Sequence, residues 1–569
     1  MRIVFRLISF ACLATAAFGQ LTLDQKMSDF QNIVGVYDKN YGPYDWKKQA
    51  FGYDLLSIAP WVSKIQATKT DLDFYEVLVS YVASLNDAHD LYELPSNFVA
   101  RLNFGVDIYD GKLLVDTISR TRLPATEFPF QIGYELVSID GKDAQTMLNG
   151  LMQYEIAANP RSTRRVAAQL LTIRPQVRMP HAADVPEVST VVFRRPDGTT
   201  ESHRIPWTKT GLALTEVGKY ITPNGVGPDD GPGSDNSMAE TDPTPSYMQP
   251  LLKLWNCQLP DRGVNGFGSQ FPIFVNALPA GFTVRLGRST AEIFFSGTFQ
   301  AGGHTIGFVR IPDFAPADPT GALTIFQREI DFFEKNTDGV IVDVMRNPGG
   351  SVSYLNQILS KLIFFTWRSI PFEVRATPFL VESISSALEQ AKAAGAPQFI
   401  LDLYQAIKDK IVAANEANRG RTDPIPLDDI TIDRSPAIDS AGNRIASTKP
   451  LLVLIDELTA SAGDAFAGTI QDNWRGLLFG RRTMGAGGNV VTWEAGSYSQ
   501  GIMTVTQSLM NRKYPVQTLE YPEAPYVENI GVYPDFLVDY MTEDNLAQNG
   551  KPFVDAFTAT MVAFLNHSF

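Results

Sequence analysis

The chain has 569 residues, 44% of them hydrophobic and 19% charged, with a formal net charge of −14. Such a composition builds a substantial apolar core, and the length suggests several domains. The negative charge repels phosphate backbones and anionic membrane surfaces, so nucleic acid is excluded as an expected partner.

Residues 1–19, MRIVFRLISFACLATAAFG, open with two arginines, continue as an apolar run and end on small residues. That order predicts a secretory signal peptide with Gln20 as the mature N-terminus, hence a secreted, extracellular protein. The apolar run is short for a membrane anchor, and no later segment approaches about 18 uninterrupted apolar residues. Loss of Arg2 and Arg6 would take the mature charge to −16, and loss of Cys12 leaves Cys257 alone. No internal disulfide and no cysteine-ligated metal site are then expected. One glycosylation sequon, Asn566-His567-Ser568, lies close to the end.

Residues 20–98 read as a helical region, with Phe74, Val77, Leu78, Tyr81, Val82 and Leu85 at helical spacing. Residues 100–215 change to strands joined by Asp-Gly turns, as in FGVDIYDGKLLVDTIS and IGYELVSIDGKDA. The stretch from 223 to 246 is acidic, Gly- and Pro-rich and without periodicity, and 216–300 is assigned to linker and connecting sequence. Over 301–545, apolar strands such as GVIVDV and PLLVLI alternate with helices, which predicts an α/β core with a parallel sheet covered on both faces. Residues 382–445 interrupt it as a polar, helical insertion, and 546–569 form a C-terminal helix. No internal repeat is found.

Two glycine-rich turns and one serine sit at strand ends in this core. VIVDVMRNPGG ends a strand with paired glycines, whose backbone can approach a ligand closely. LLVLIDELTASAGDAF places Ser461 between a strand and a helix, where a serine is either a helix cap or a nucleophile at the positive end of the helix dipole. GRRTMGAGG supplies the second glycine turn. A nucleophilic serine needs a base, and the chain has five histidines: His89, His181, His203, His304 and His567. Each could equally be structural until a pattern selects one.

SLNDAH, NPGG, TASAGD followed by QDN, GRRTMGAGG and ENIGVYPD stand in the order found in the C-terminal-processing, or tail-specific, serine peptidases. The chain resembles that family from about 70 to 540. The resemblance implies a crotonase-like core of ββα units, a PDZ-like domain over 100–215, and hydrolysis of peptide bonds in protein or peptide substrates. In the common branch a lysine 25 residues after the serine is the base, but here that position is Ala486, and no lysine occurs from 450 to 512. Either activity is lost, leaving a secreted binding protein on a protease scaffold, or another base is used. The histidine-using branch, which includes tricorn protease and chlamydial protease-like activity factor, is the more similar one. Its resemblance implies Ser461 as nucleophile, His89 as base and Glu528 as orienting carboxylate, with Glu523 the competing acid. It also implies an oxyanion hole from the N–H of Ala462 and the Asn-Pro-Gly-Gly turn, with Gly349 preferred and Gly350 its neighbour. The serine that precedes the histidine in tricorn is Ala88 here. No cofactor and no metal are expected, and a homo-oligomer is compatible with the sequence. A crotonase-type acyl-CoA enzyme is disfavoured by the export signal, the acidity and the PDZ-like region.

Overall fold

The computed structural model describes residues 20–215, 244–260 and 263–568. The expected signal peptide, 1–19, and most of the acidic 223–246 stretch lie outside the described residues.

The main core is built on a seven-stranded sheet. Its strands run Thr283–Leu286, Phe295–Ala301, His304–Arg310, Gly339–Asp343, Leu451–Ile455, Leu477–Gly480 and Phe536–Leu537, in that spatial order. The first three pair antiparallel and the last four join parallel. GVIVD and LLVLI are buried at every position, because both faces of the sheet are covered and each alternate residue enters a different core. Val340, Val342, Leu451, Val453 and Ile455 pack with the helices Pro319–Asn336, Val352–Leu362 and Ala462–Asp472. Ile341, Leu452 and Leu454 point the other way, onto Phe553, Phe557 and Met561 of the helix Lys551–Leu565. The two-residue period of a strand produces this division.

The sheet begins upstream of the expected boundary at 301. Thr283–Leu286 and Phe295–Ala301, assigned from sequence to connecting segment, are its outer strands, the second joined to His304–Arg310 by a turn at Gly302 and Gly303, both at positive φ. Glycine and arginine within these strands hide their alternation. The insertion forms two helices, Pro378–Ala393 and Gln398–Glu416, buried on one face against the main core.

Residues 104–206 hold a separate sheet around Phe104, Phe130 and Phe193, with the Phe130 and Phe193 rings stacked at 4.4 Å. The N-terminal helices Leu23–Asn40, Tyr44–Phe51, Ala59–Ala67 and Asp71–Ala83 do not stand apart from the core. The first and last of them bury Phe30, Tyr37, Phe74 and Tyr81 against Trp493, Met503 and Val505 of the hairpin Val490–Glu494/Ile502–Thr506. This packing carries the segment after the fourth helix to the sheet's carboxyl edge.

Candidate active site

The strand Leu451–Ile455 ends in Asp456-Glu457-Leu458-Thr459-Ala460, and Ser461 opens the helix Ala462–Asp472. Ser461 has φ 59 and ψ −114, backbone angles that a non-glycine residue rarely takes and that cost about 1–3 kcal/mol. The strain is held by Asp464. Its Oδ2 accepts the Ser461 N–H at 2.6 Å and the Ala486 N–H at 3.1 Å, and its Oδ1 accepts the Gly485 N–H at 2.9 Å. One buried carboxylate thus pins the serine turn to the GAGG turn. Burial raises this carboxyl to about 7 despite the hydrogen bonds from Thr483, Gly485, Ser461 and Ala486 that pull it down.

His89 Nε2 lies 2.7 Å from Ser461 Oγ across 372 positions of sequence. The imidazole is fixed through its backbone: the His89 N–H donates to Asp87 Oδ1 at 3.0 Å, and the His89 carbonyl accepts the Thr504 hydroxyl at 2.5 Å. On its far side His89 Nδ1 faces Asp87 Oδ1 at 3.9 Å. One ligand atom each from Asp87, His89 and Glu528 lie within 4.8 Å of one another. Glu528 accepts the Gly487 N–H at 2.8 Å and pairs with Lys47, while Asp87 Oδ2 accepts the Tyr41 hydroxyl at 3.0 Å. Burial, then the neighbouring Asp87, push the Glu528 carboxyl up to about 8, with Lys47 and the Gly487 N–H pulling the other way.

Gly349 and Gly350 have φ of 99 and 145. A Cβ on Gly349 would meet the Cys257 carbonyl oxygen at 2.2 Å and Ser461 Cβ at 2.8 Å, and one on Gly350 would meet the Phe314 backbone at 2.2 Å. Only glycine fits both places. Gly349 therefore stands against the serine, but its N–H donates to Asn347 Oδ1 at 2.8 Å. Ala462 is the first residue of its helix, and its N–H has no intrahelical acceptor.

The other histidines are elsewhere. His181 pairs with Asp184, His203 with Glu201 and His304 with Asn566, and His567 is next to the end of the chain. Glu523 is exposed. Three groups escaped the sequence reading. Asp87 lies two residues before His89, a signal that was present in NDAHD. Asp464 belongs to the quoted TASAGD. Lys47, in YDWKKQAF, has no local signal at all, since 481 positions separate it from Glu528.

The β-rich domain also reaches this centre. Arg165 donates to Asp107 at 2.6 Å and lies 3.3 Å from Glu457, Arg161 Nε donates to Glu457 at 2.7 Å, and the Ser162 hydroxyl donates to the Glu457 carbonyl at 2.6 Å. Burial opposes a charge at Glu457, but Arg165 and Arg161 overcome it and hold the carboxyl down to about 2. The centre is closed to solvent, with Ser461 0% and His89 1% exposed. Leu259, Val264 and Phe267 pack in one cluster with Ala88, Ala460 and Ala486, which lie beside His89, beside Ser461 and in the GAGG turn.

The profile of Peptidase family S41 matches residues 305–538, and that of a PDZ domain matches 99–216. A Chlamydia pneumoniae protein is 26% identical over 96% of this chain and 91% of its own. The carboxyl-terminal-processing protease of a Synechocystis species is 30% identical over 28% of this chain and 35% of its own. Among solved structures, mature CPAF complexed with lactacystin superposes with a TM-score of 0.72 at 23% identity, covering 96% of this chain and 99% of that one. That last likeness concerns the fold.

Proposed function

We propose, for a chain whose residues 305–538 match Peptidase family S41, endopeptidase action through Ser461, His89 and the Glu528 carboxylate. The observation that carries this reading is the 2.7 Å contact of His89 Nε2 with Ser461 Oγ at a strained strand-to-helix turn.

Neutral His89 takes the Ser461 hydroxyl proton as Oγ attacks the scissile carbonyl, and returns it to the leaving amine. Water then repeats the sequence on the acyl-enzyme. Asp87 and Glu528 stabilise the imidazolium that forms between these steps. The Ala462 N–H receives the developing oxyanion, and the Gly349 N–H joins it once it turns from Asn347. Each such donor contributes about 10²–10³ in rate. The ordered charge of residues 1–19, basic then apolar then small, supports export.

Casein digestion and labelling by a fluorophosphonate probe, compared between wild type and Ser461→Ala, test the reading. Labelling of wild type and its loss in the variant are expected. Equal digestion by the variant, or inhibition by EDTA reversed by zinc, overturns it.

A further inference from the structure

Lys47 is 0% exposed, which is rare for a lysine and costs several kcal/mol unless the charge is paired. All three ammonium protons are used: on Glu528 Oε1, on Asn529 Oδ1 at 2.8 Å and on the Asn86 carbonyl at 2.9 Å. The helix Tyr44–Phe51 that carries it packs Trp46 edge-on against Tyr526, and the Trp46 N–H donates to the same Asn529 oxygen at 3.0 Å. The ammonium is thus held in one place from both sides.

It faces an excess of acid. Asp87, Asp90 and Glu528 are all buried there. Tyr41 donates to Asp87, the Thr506 N–H and hydroxyl donate to Asp90, and the Gly487 N–H donates to Glu528. These neutral donors solvate the carboxylates without balancing their charge. His89 and Lys47 are the basic groups set against them.

We propose that Lys47 is a positioning residue for the catalytic base, holding the Glu528 carboxyl fixed beside His89 and opposite a buried positive charge, so that the imidazolium forms against it. Lys47 touches neither substrate nor Ser461 and keeps its protons throughout: the transferred proton moves from Ser461 Oγ to His89 Nε2 and on to the leaving amine. Burial and Asp87 drive Glu528 towards its neutral form, and Lys47 is the first group opposing them. The same ammonium pulls Asp90 in the same direction, against burial and Asp87. The proposal rests on the Ser461–His89 assignment.

The test is the pH profile of fluorophosphonate labelling, with peptide kcat and KM, for wild type, Lys47→Met, Lys47→Arg, Glu528→Gln and the Lys47→Met/Glu528→Gln pair. Removing an opposite charge in direct contact moves a carboxyl by about 1–3 pH units. The acid limb of Lys47→Met therefore moves up by that amount, labelling at pH 7 falls about tenfold or more, KM is unchanged, and Lys47→Arg restores the limb. The double variant is no slower than Glu528→Gln alone, because Lys47 acts through that group. A folded Lys47→Met with the wild-type limb overturns the proposal, as do losses that multiply in the double variant. Should Lys47→Met not fold, the double variant leaves no unpaired carboxylate at position 528 and decides the matter by the same comparison. A wild type that is not labelled overturns the Ser461 assignment instead.

Discussion

Replacing Asp464 by Asn perturbs the brace that holds the serine turn. Asn can keep its oxygen in the place of Oδ2, preserving the bonds from Ser461 and Ala486, but its amide nitrogen then meets the Gly485 N–H donor to donor. One buried donor left without an acceptor costs about 1–3 kcal/mol. Asp464→Ala strands three backbone donors and the Thr483 hydroxyl, and should cost at least about 3 kcal/mol by the same measure. The cost also depends on pH. The folded carboxyl is raised to about 7, whereas an unfolded aspartate titrates near ~3.9. The folded state therefore keeps the proton longer, so this group's contribution to stability is full below about pH 4 and is lost as pH rises towards 7. Asn does not titrate, so the destabilisation by Asp464→Asn is larger at pH 5 than at pH 8, by at most ~1.4 kcal/mol per pH unit. Urea unfolding followed by far-UV circular dichroism at the two pH values measures it, and the labelling rate at pH 8 reports the serine geometry. A loss under about 0.5 kcal/mol at both pH values, or a cost that grows with pH, refutes the reasoning.

Ser461→Gly should abolish hydrolysis yet melt at or above the wild-type temperature, because glycine adopts a φ of 59 without strain and gains up to about 1 kcal/mol. Glu528→Gln should remain folded and lose about 10⁴ in kcat, less than Ser461→Ala does, while exposed Glu523→Gln stays within a few-fold in the same peptide assay. Ala486→Lys should lower the melting temperature and not raise kcat, since Ala486 is buried beside the Asp464 carboxylate.

What could be read in the sequence was whatever local chemistry writes. GVIVDV and LLVLI announced a sheet buried on both faces because no position along them tolerates water. Ser461, His89 and the two glycine turns were legible through short motifs whose residues have few substitutes: the paired glycines at 349 and 350 admit no Cβ. Lys47 was illegible, because its meaning lies in a helix packed 481 positions away from its partner. Asp464 sat in plain view within TASAGD, but an acid in the first turn of a helix carries no local sign of the second turn it binds. Thr283–Leu286 was missed because three of its four residues are only partly buried at the sheet's outer edge, where the hydrophobic pattern weakens.

Cys257 gives this centre a built-in reporter. Its strand, Asn256–Gln258, pairs with Gly349–Ser351, and its carbonyl lies where a side chain on Gly349 would clash. In a chain beginning at Gln20 it is the single thiol. Fully buried, it has its acidity suppressed well beyond an ordinary cysteine's, and a protonated thiol does not attack alkylating reagents. Its alkylation clock therefore starts only when the strand lying along the Gly-Gly turn peels away. Mass spectrometry of a single modified peptide would time the unsealing of the serine without substrate, probe or engineered label.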